Sequence, residues 1–287
     1  MPVNGRSSRR ADLTKTSAPE RENLFTVTVH SAKGGSGKST LVSNLAVALA
    51  RKGKSVGVID LDYAAPGLHI IFGLSKEARF SFEDVLGEKC TLSEAVIDLT
   101  KKLNLERGNL VFIPSSLEAK DMVNQQRLGY DVPVLERLIK NMFKEFSLDY
   151  LILDTRHGVS LPSLPAIAVS DVVLFVARLD MQDVAAGKAP LQVARALKKR
   201  VLLVASMIPR IEESERLRKR LGRMFGLPVA SVLPYDPQLQ MNQSSGVFIL
   251  NKQHSDYPSR INSLADVLVE LRASKFEASD GVFWNNF

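Results

Sequence analysis

The stretch VHSAKGGSGKSTLVSNLAVAL, residues 29–49, decides the fold. It joins a β-rich lead-in to a glycine-rich turn and then to an apolar helical pattern. Lys33 and Lys38 stand five positions apart around Gly34, Gly35 and Gly37. Glycines let backbone N–H groups converge on anionic oxygens, and a helix that follows presents its positive end to them. Gly34, Gly35, Ser36, Gly37, Lys38, Ser39 and Thr40 therefore form a candidate triphosphate cradle. Lys38 would neutralise the β- and γ-phosphates, and the Ser39 hydroxyl would coordinate magnesium.

Such a loop needs one lysine, and this one has two. The first glycine of a standard phosphate loop would fall at position 32, where the chain has Ala32 and then Lys33. A lysine at the rim cannot easily turn back onto phosphates enclosed by its own backbone. It can reach a second loop presented face to face, as in a symmetric dimer. There it would offset charge on a transferring phosphoryl group, as a finger supplied in trans does.

Strand-like runs alternate with helical patterns along the rest of the chain. Strands are expected near 25–31, 55–60, 110–114, 150–154, 171–177, 201–206 and 228–234. Helices are expected over 39–52, 81–102 in two pieces, 133–146, 183–198, 212–224 and 260–273. Several strands are nearly all apolar, as strands covered by helices on both faces are. The expected fold is α/β: a doubly wound, mostly parallel sheet of about seven to eight strands flanked by helices, with its ligand site beyond the carboxyl ends of the strands.

Two further strand ends carry carboxylates. The second strand leads into VIDLDYAAPGLHIIFGL, which places Asp60 and Asp62 where the chain leaves the sheet. Pro66 and Gly67 suit a loop that rearranges when a γ-phosphate is present. In YLILDTRHGVS an apolar strand delivers Asp154, placed to accept from magnesium-bound water, and Gly158 follows at a spacing that lets it face the γ-phosphate. His157, without neighbouring ligands, reads as a surface or packing residue. Guanine recognition would want N-K-x-D, and NKQH at 251–254 lacks the aspartate, so ATP is the expected nucleotide.

The chain has 287 residues, 45% apolar and 24% charged, and a single cysteine, Cys90. One thiol excludes an intrachain disulfide and a cysteine-paired metal or cluster site within one subunit, which fits a reducing, cytosolic setting. No apolar run approaches the roughly 20 residues a spanning helix needs, so no stable membrane insertion is expected. Residues 1–23 read as a disordered basic arm, 24–274 as the nucleotide-binding domain and 275–287 as a tail. The net charge is +7, and the stretch from Lys198 to Arg223 concentrates cations. Its helix, EESERLRKRLGRMF, interleaves Leu217, Leu221 and Phe225 with Arg216, Arg218, Lys219, Arg220 and Arg223, so it can pack inward and show cations outward. Such a face would bind phosphates with weak sequence preference and steep salt dependence.

The sequence K-G-G-S-G-K-S at 33–39 resembles the deviant phosphate loop of the ParA/MinD family of P-loop ATPases, of SIMIBI type. The resemblance covers most of residues 25–250. It implies that Lys33 crosses a dimer interface to the partner's nucleotide, that Asp62 orients the attacking water, and that Asp60 supports magnesium or the loop. It also implies a Pro-x-Asp turn beside the adenine, matched here by Pro234 and Asp236, with Gly246 beyond. Family members tend to hold the base with an asparagine where this chain has Ser206 and Pro209. The implied activity is slow, magnesium-dependent ATP hydrolysis by an ATP-bound homodimer, stimulated by a ParB-like partner. A ParA-like role in chromosome or plasmid partition on nonspecific DNA, cytoplasmic and nucleoid-associated, is the first expectation. A MinD- or FlhG-like positioning role at a membrane is the second. Relatives of that second kind end in a basic amphipathic helix, whereas this chain ends SKFEASDGVFWNNF.

Overall fold

The computed structural model describes residues 24–74, 79–118, 130–160, 163–209, 215–241, 246–251 and 255–277. The expected amino-terminal arm and residues 278–287 lie outside them. Eight strands form one sheet: β1 (Thr26–His30), β2 (Ser55–Leu61), β3 (Ile97–Asp98), β4 (Asn109–Ile113), β5 (Tyr150–Thr155), β6 (Val172–Arg178), β7 (Arg200–Ile208) and β8 (Val229–Pro234). Their order is β3-β4-β2-β5-β1-β6-β7-β8. All neighbours pair parallel except β3 with β4.

Successive side chains of each strand enter opposite cores, because the pleat has a period of two. Val27, Val29, Val56, Val58, Leu174 and Val204 face one layer. That layer is α1 (Lys38–Arg51) with the carboxyl-terminal helices Phe248–Asn251 and Asp256–Glu277. Ile59, Leu61, Leu151 and Leu153 face the other side, as do Val173, Phe175 and Leu203 further along the sheet. In α1, Leu41, Leu45 and Leu49 recur every fourth residue and are fully buried. Truncating any one of them to alanine would cost about 2–5 kcal/mol. Asn44 lies on the same helix, where its amide donates to the Thr40 carbonyl and its Oδ1 accepts from Ile249 N–H at 2.8 Å.

The helices expected over 81–102 are shorter, and the segment adds a strand. Phe82–Leu86 and Leu92–Ala95 each begin with a capping box, Ser81 with Asp84 and Thr91 with Glu94. The second stops at Val96 in extended geometry, and Ile97 then pairs with Phe112. Asp98 accepts from Thr100 N–H, and Thr100 Oγ1 accepts from Leu110 N–H, so local side-chain bonds override the helical period here. The last helix runs to Glu277, past the expected boundary at Ser274. Lys275 accounts for the extension, since its ammonium donates to Leu24 O and Asp171 Oδ1.

Candidate active site

β1 delivers the chain into the phosphate loop at the centre of the sheet. Gly37 caps α1 with φ 87°, a left-handed conformation, and no side chain caps the helix start. A β-carbon there would also stand 3.3 Å from Ser206 Oγ, so backbone and space both call for glycine. The first N–H groups of α1 therefore face the loop interior, the arrangement that binds phosphate. Lys38 is buried, and the buried Ser36 hydroxyl has no hydrogen-bond partner. Lys33 departs from this cradle: its ammonium donates to Gln182 Oε1 at 2.6 Å, at the exposed start of the helix Met181–Ala196. Gly34 and Gly35 are exposed, and Ser39 and Thr40 are half-buried.

The carboxylates meet beside this loop. Asp60 and Asp154 are register partners on the adjacent strands β2 and β5, and both are buried. Asp60 accepts from the N–H groups of Asp62 at 3.0 Å and Leu68 at 3.4 Å. Neither oxygen of Asp154 has a hydrogen-bond partner. Burial, reinforced by the charge of Asp154, pushes Asp60 well above the usual carboxylate range. Burial raises Asp154 as well, against the pull of the Lys38 ammonium and of the Ser39 hydroxyl, which lies close without forming a bond to either oxygen. Unpartnered carboxylate oxygens at a buried lysine are costly unless a ligand completes them. An all-oxygen set of Ser39, Asp60 and Asp154 suits a hard divalent cation such as Mg²⁺. Asp62, just beyond β2, is also buried, with Oδ1 accepting from Ala65 N–H at 3.2 Å.

Several neighbours carry no sequence signature. His30 ends β1, buried, with Nδ1 2.8 Å from Thr155 Oγ1. The Thr155 hydroxyl itself donates to Val29 O, so the imidazole donates through Nδ1 and leaves Nε2 as a buried, unpartnered acceptor. Burial, with Lys38 and His157 nearby, lowers its pKa to about 3 and keeps it neutral at pH 7. The His157 ring packs on the loop: a β-carbon on Gly34 would stand 3.3 Å from its Cε1. Gly158, with φ 75°, donates its N–H to Ser31 O at 2.8 Å.

At the other side of the loop, a register shift between Ala205 and Ile208 marks a bulge in β7, and Met207 has φ 56°. Its Cε lies 3.7 Å from where a Gly37 β-carbon would be. Tyr235 N–H donates to Ile208 O, which joins the Pro234 turn to this edge. Asp236 Oδ1 accepts from Gln238 N–H at the start of the helix Pro237–Met241, so its carboxylate serves that turn.

The cationic helix Glu215–Phe225 packs Leu221 and Phe225 into the core, as expected from its spacing. Arg218 differs from the expectation of an outward cation. Its guanidinium donates to the carbonyls of Val229 and Ala230 at 3.0 and 3.1 Å and supports the edge strand β8. Arg216, Lys219, Arg220 and Arg223 are exposed. Lys199 donates to Ser170 O, just before β6.

A phosphate loop at the carboxyl edge of a parallel sheet, flanked by strand-end aspartates, defines a P-loop NTPase. The chain matches the ParA family, described as NUBPL iron-transfer P-loop NTPase, over residues 24–269, and it belongs to the ParA/MinD family of P-loop ATPases. It is 26% identical over 237 residues to the septum site-determining protein MinD of Synechocystis, covering 81% of this chain and 84% of that one. The fold matches MinD of Pyrococcus horikoshii complexed with Mg-ADP at a TM-score of 0.70 and 20% identity, covering 88% of this chain and 98% of that one. A plasmid partition protein from Borrelia burgdorferi matches at a TM-score of 0.64 and 19% identity, covering 87% and 99%. Thiolate ligation of an iron–sulfur cluster by one subunit is not available to a chain whose one cysteine is Cys90. No helix among the described residues is long and apolar enough to cross a membrane.

Proposed function

We propose that the protein is an ATP-driven dimerising switch, in which two copies meet at their phosphate loops and each Lys33 serves the nucleotide of its twin. The observation that carries this reading is the division of labour between the lysines: Lys38 is buried within the cradle, while Lys33 leaves it for Gln182 at the rim. The surface around the mouth supports it. Ile70, Leu117, Val159 and Met181, each past the end of a different strand, are 51%, 60%, 50% and 70% exposed. Large exposed apolar side chains beyond the carboxyl edge of the sheet suit contact with a second protein surface.

In this reading the N–H groups of the loop and Lys38 hold the phosphates, and Asp62 orients the attacking water. Gly158 meets the γ-phosphate, and the Pro234–Asp236 turn with Met207 borders the base. Ser39, Asp60 and Asp154 would hold Mg²⁺, which would neutralise phosphate charge. His30 and Thr155 keep the end of β1 dry and fixed beneath the loop. Turnover is slow and accelerated by a ParB-like partner that recognises the dimer.

The dimer's cargo surface is the exposed side of the cationic helix, Arg216, Lys219, Arg220 and Arg223, which takes nonspecific DNA and places the protein on the nucleoid. The role is partition or spatial positioning of a cargo. A MinD- or FlhG-like role at an anionic membrane is the second reading, favoured by the likeness to MinD. Light scattering of the full chain with ATP tests the switch. Wild type should double its mass and Lys33→Ala should remain a monomer; equal monomer masses would overturn the proposal. Binding to duplex DNA and to anionic liposomes, compared side by side with ATP, separates the two cargo readings.

A further inference from the structure

The segment Thr155–Gly158 touches both halves of the site. Gly158 is bonded to Ser31 and the His157 ring lies against Gly34, which ties its far end to the phosphate loop. Its near end carries Arg156, whose Nη1 donates to the Tyr63 hydroxyl at 2.6 Å. The guanidinium carbon stands 5.3 Å from the centre of the Tyr63 ring. Tyr63 is buried and directly follows Asp62. A short charge-assisted bond to the hydroxyl of a buried side chain fixes where that side chain points.

We infer that Arg156 is a positioning residue for hydrolysis: it clamps Tyr63, and Tyr63 holds the Asp62 carboxylate at the angle used toward the attacking water. The clamp ties the loop expected to meet the γ-phosphate to the loop that carries Asp62, so the two move as one body. Asp62 and Asp60 already accept from Ala65 and Leu68 N–H, which makes the whole turn from Asp62 to Leu68 a set of linked contacts with Arg156 at its outer edge. This inference rests on the reading of Asp62 as the hydrolytic residue.

Tyr63→Phe keeps the ring but removes the hydroxyl that accepts the bond, and Arg156→Ala removes the donor. Each should lower kcat for ATP roughly tenfold, since small displacements of a catalytic group have large rate effects. The KM for ATP and the Kd for a nonhydrolysable ATP analogue should stay within about twofold of wild type, because the phosphate loop is untouched. The double variant should be no slower than Arg156→Ala, as expected for residues acting as one unit. Amide exchange at Ala65 and Leu68 should quicken at least about fivefold in Arg156→Ala without nucleotide, as local opening becomes easier. Unchanged kcat in both variants, additive losses or unchanged exchange would overturn the clamp. If wild type hydrolyses no ATP, the reading of Asp62 fails instead, and the exchange measurement still judges the clamp.

Discussion

Around the ends of β1, β2 and β5, the side chains of Ser36, Asp154 and His30 hold buried polar atoms with no protein partner, beside the buried ammonium of Lys38. The cations on the helix Glu215–Phe225 are disposed the other way: Arg218 is bound to backbone carbonyls, and Arg216, Lys219, Arg220 and Arg223 are exposed. Buried groups without partners cost stability, and they are retained where a ligand completes them. Exposed cations cost little and recognise little beyond charge. The first region thus suits one small ligand in one pose, and the second, on the reading proposed above, a broad anionic surface.

Substitutions can break or sharpen that contrast. The largest effect belongs to Lys38→Ala, which should weaken ATP binding by about 100-fold or more, because it removes the buried charge that faces the phosphates. Isothermal calorimetry with ATP and magnesium checks this, and a wild-type Kd would deny the cradle its role. Asp62→Asn should lower hydrolysis about 100-fold while leaving ATP-dependent dimers intact and longer-lived.

Next comes the charge of the buried carboxylates beside the loop. Burial raises the folded-state pKa of both Asp60 and Asp154, so the folded protein holds protons that the unfolded chain has released above its ordinary carboxylate value of 3.8. Their contribution is therefore favourable in acid and is lost as pH rises from about 4 toward neutrality. Asp154→Asn should raise the nucleotide-free melting temperature at pH 7, with the gain shrinking toward pH 4, and should abolish stabilisation by Mg-ATP. His30 acts in the opposite direction, since its pKa is lowered to about 3 and its contribution falls as pH drops below the ordinary histidine range. Thermal melts of both proteins across that range read the two slopes.

The smallest effects separate the cations of the helix from one another. Arg218→Ala should cost about 1–3 kcal/mol by leaving two edge-strand carbonyls without their charged donor. Arg220→Ala should stay within about 0.5 kcal/mol of wild type. Charge reversal at Arg216, Arg220 and Arg223 should abolish DNA retention without lowering ATP affinity. Each phosphate contact removed should flatten the salt slope by about one. Retention that survives reversal at low salt would place DNA binding on another surface and remove this helix from the account.

The legible parts of this molecule are those whose meaning is local. Gly34 to Ser39 specify a backbone shape and a helix start, and nearly continuous apolar runs such as Val172–Ala177 specify strands covered on both faces. Asp60 and Asp154 could be placed at strand ends, and the sheet then made them register partners. What escaped depends on distant partners or on direction. The strand Ile97–Asp98 exists only because Phe112 and Val111 lie beside it. Arg218 follows the same helical period as its neighbours, yet it points at β8 because β8 is a sheet edge with carbonyls to satisfy. Arg156 and Tyr63 are separated by 93 positions and meet only once β2 and β5 pair.

The central claim is that Lys33 acts on the twin's nucleotide, and mixing two defective proteins tests it directly. Lys33→Ala keeps a complete site but lacks the cation it would lend; Asp62→Ala lends the cation but cannot hydrolyse. Each alone should be nearly inactive. A 1:1 mixture should recover activity, up to about a quarter of the wild-type rate, because each mixed dimer is held by the one Lys33 still lent and has one complete site, and at most about half the dimers are mixed if pairing is random. A mixture no faster than its components, under conditions where mixed dimers form, would place Lys33 in its own subunit's site and contradict the account.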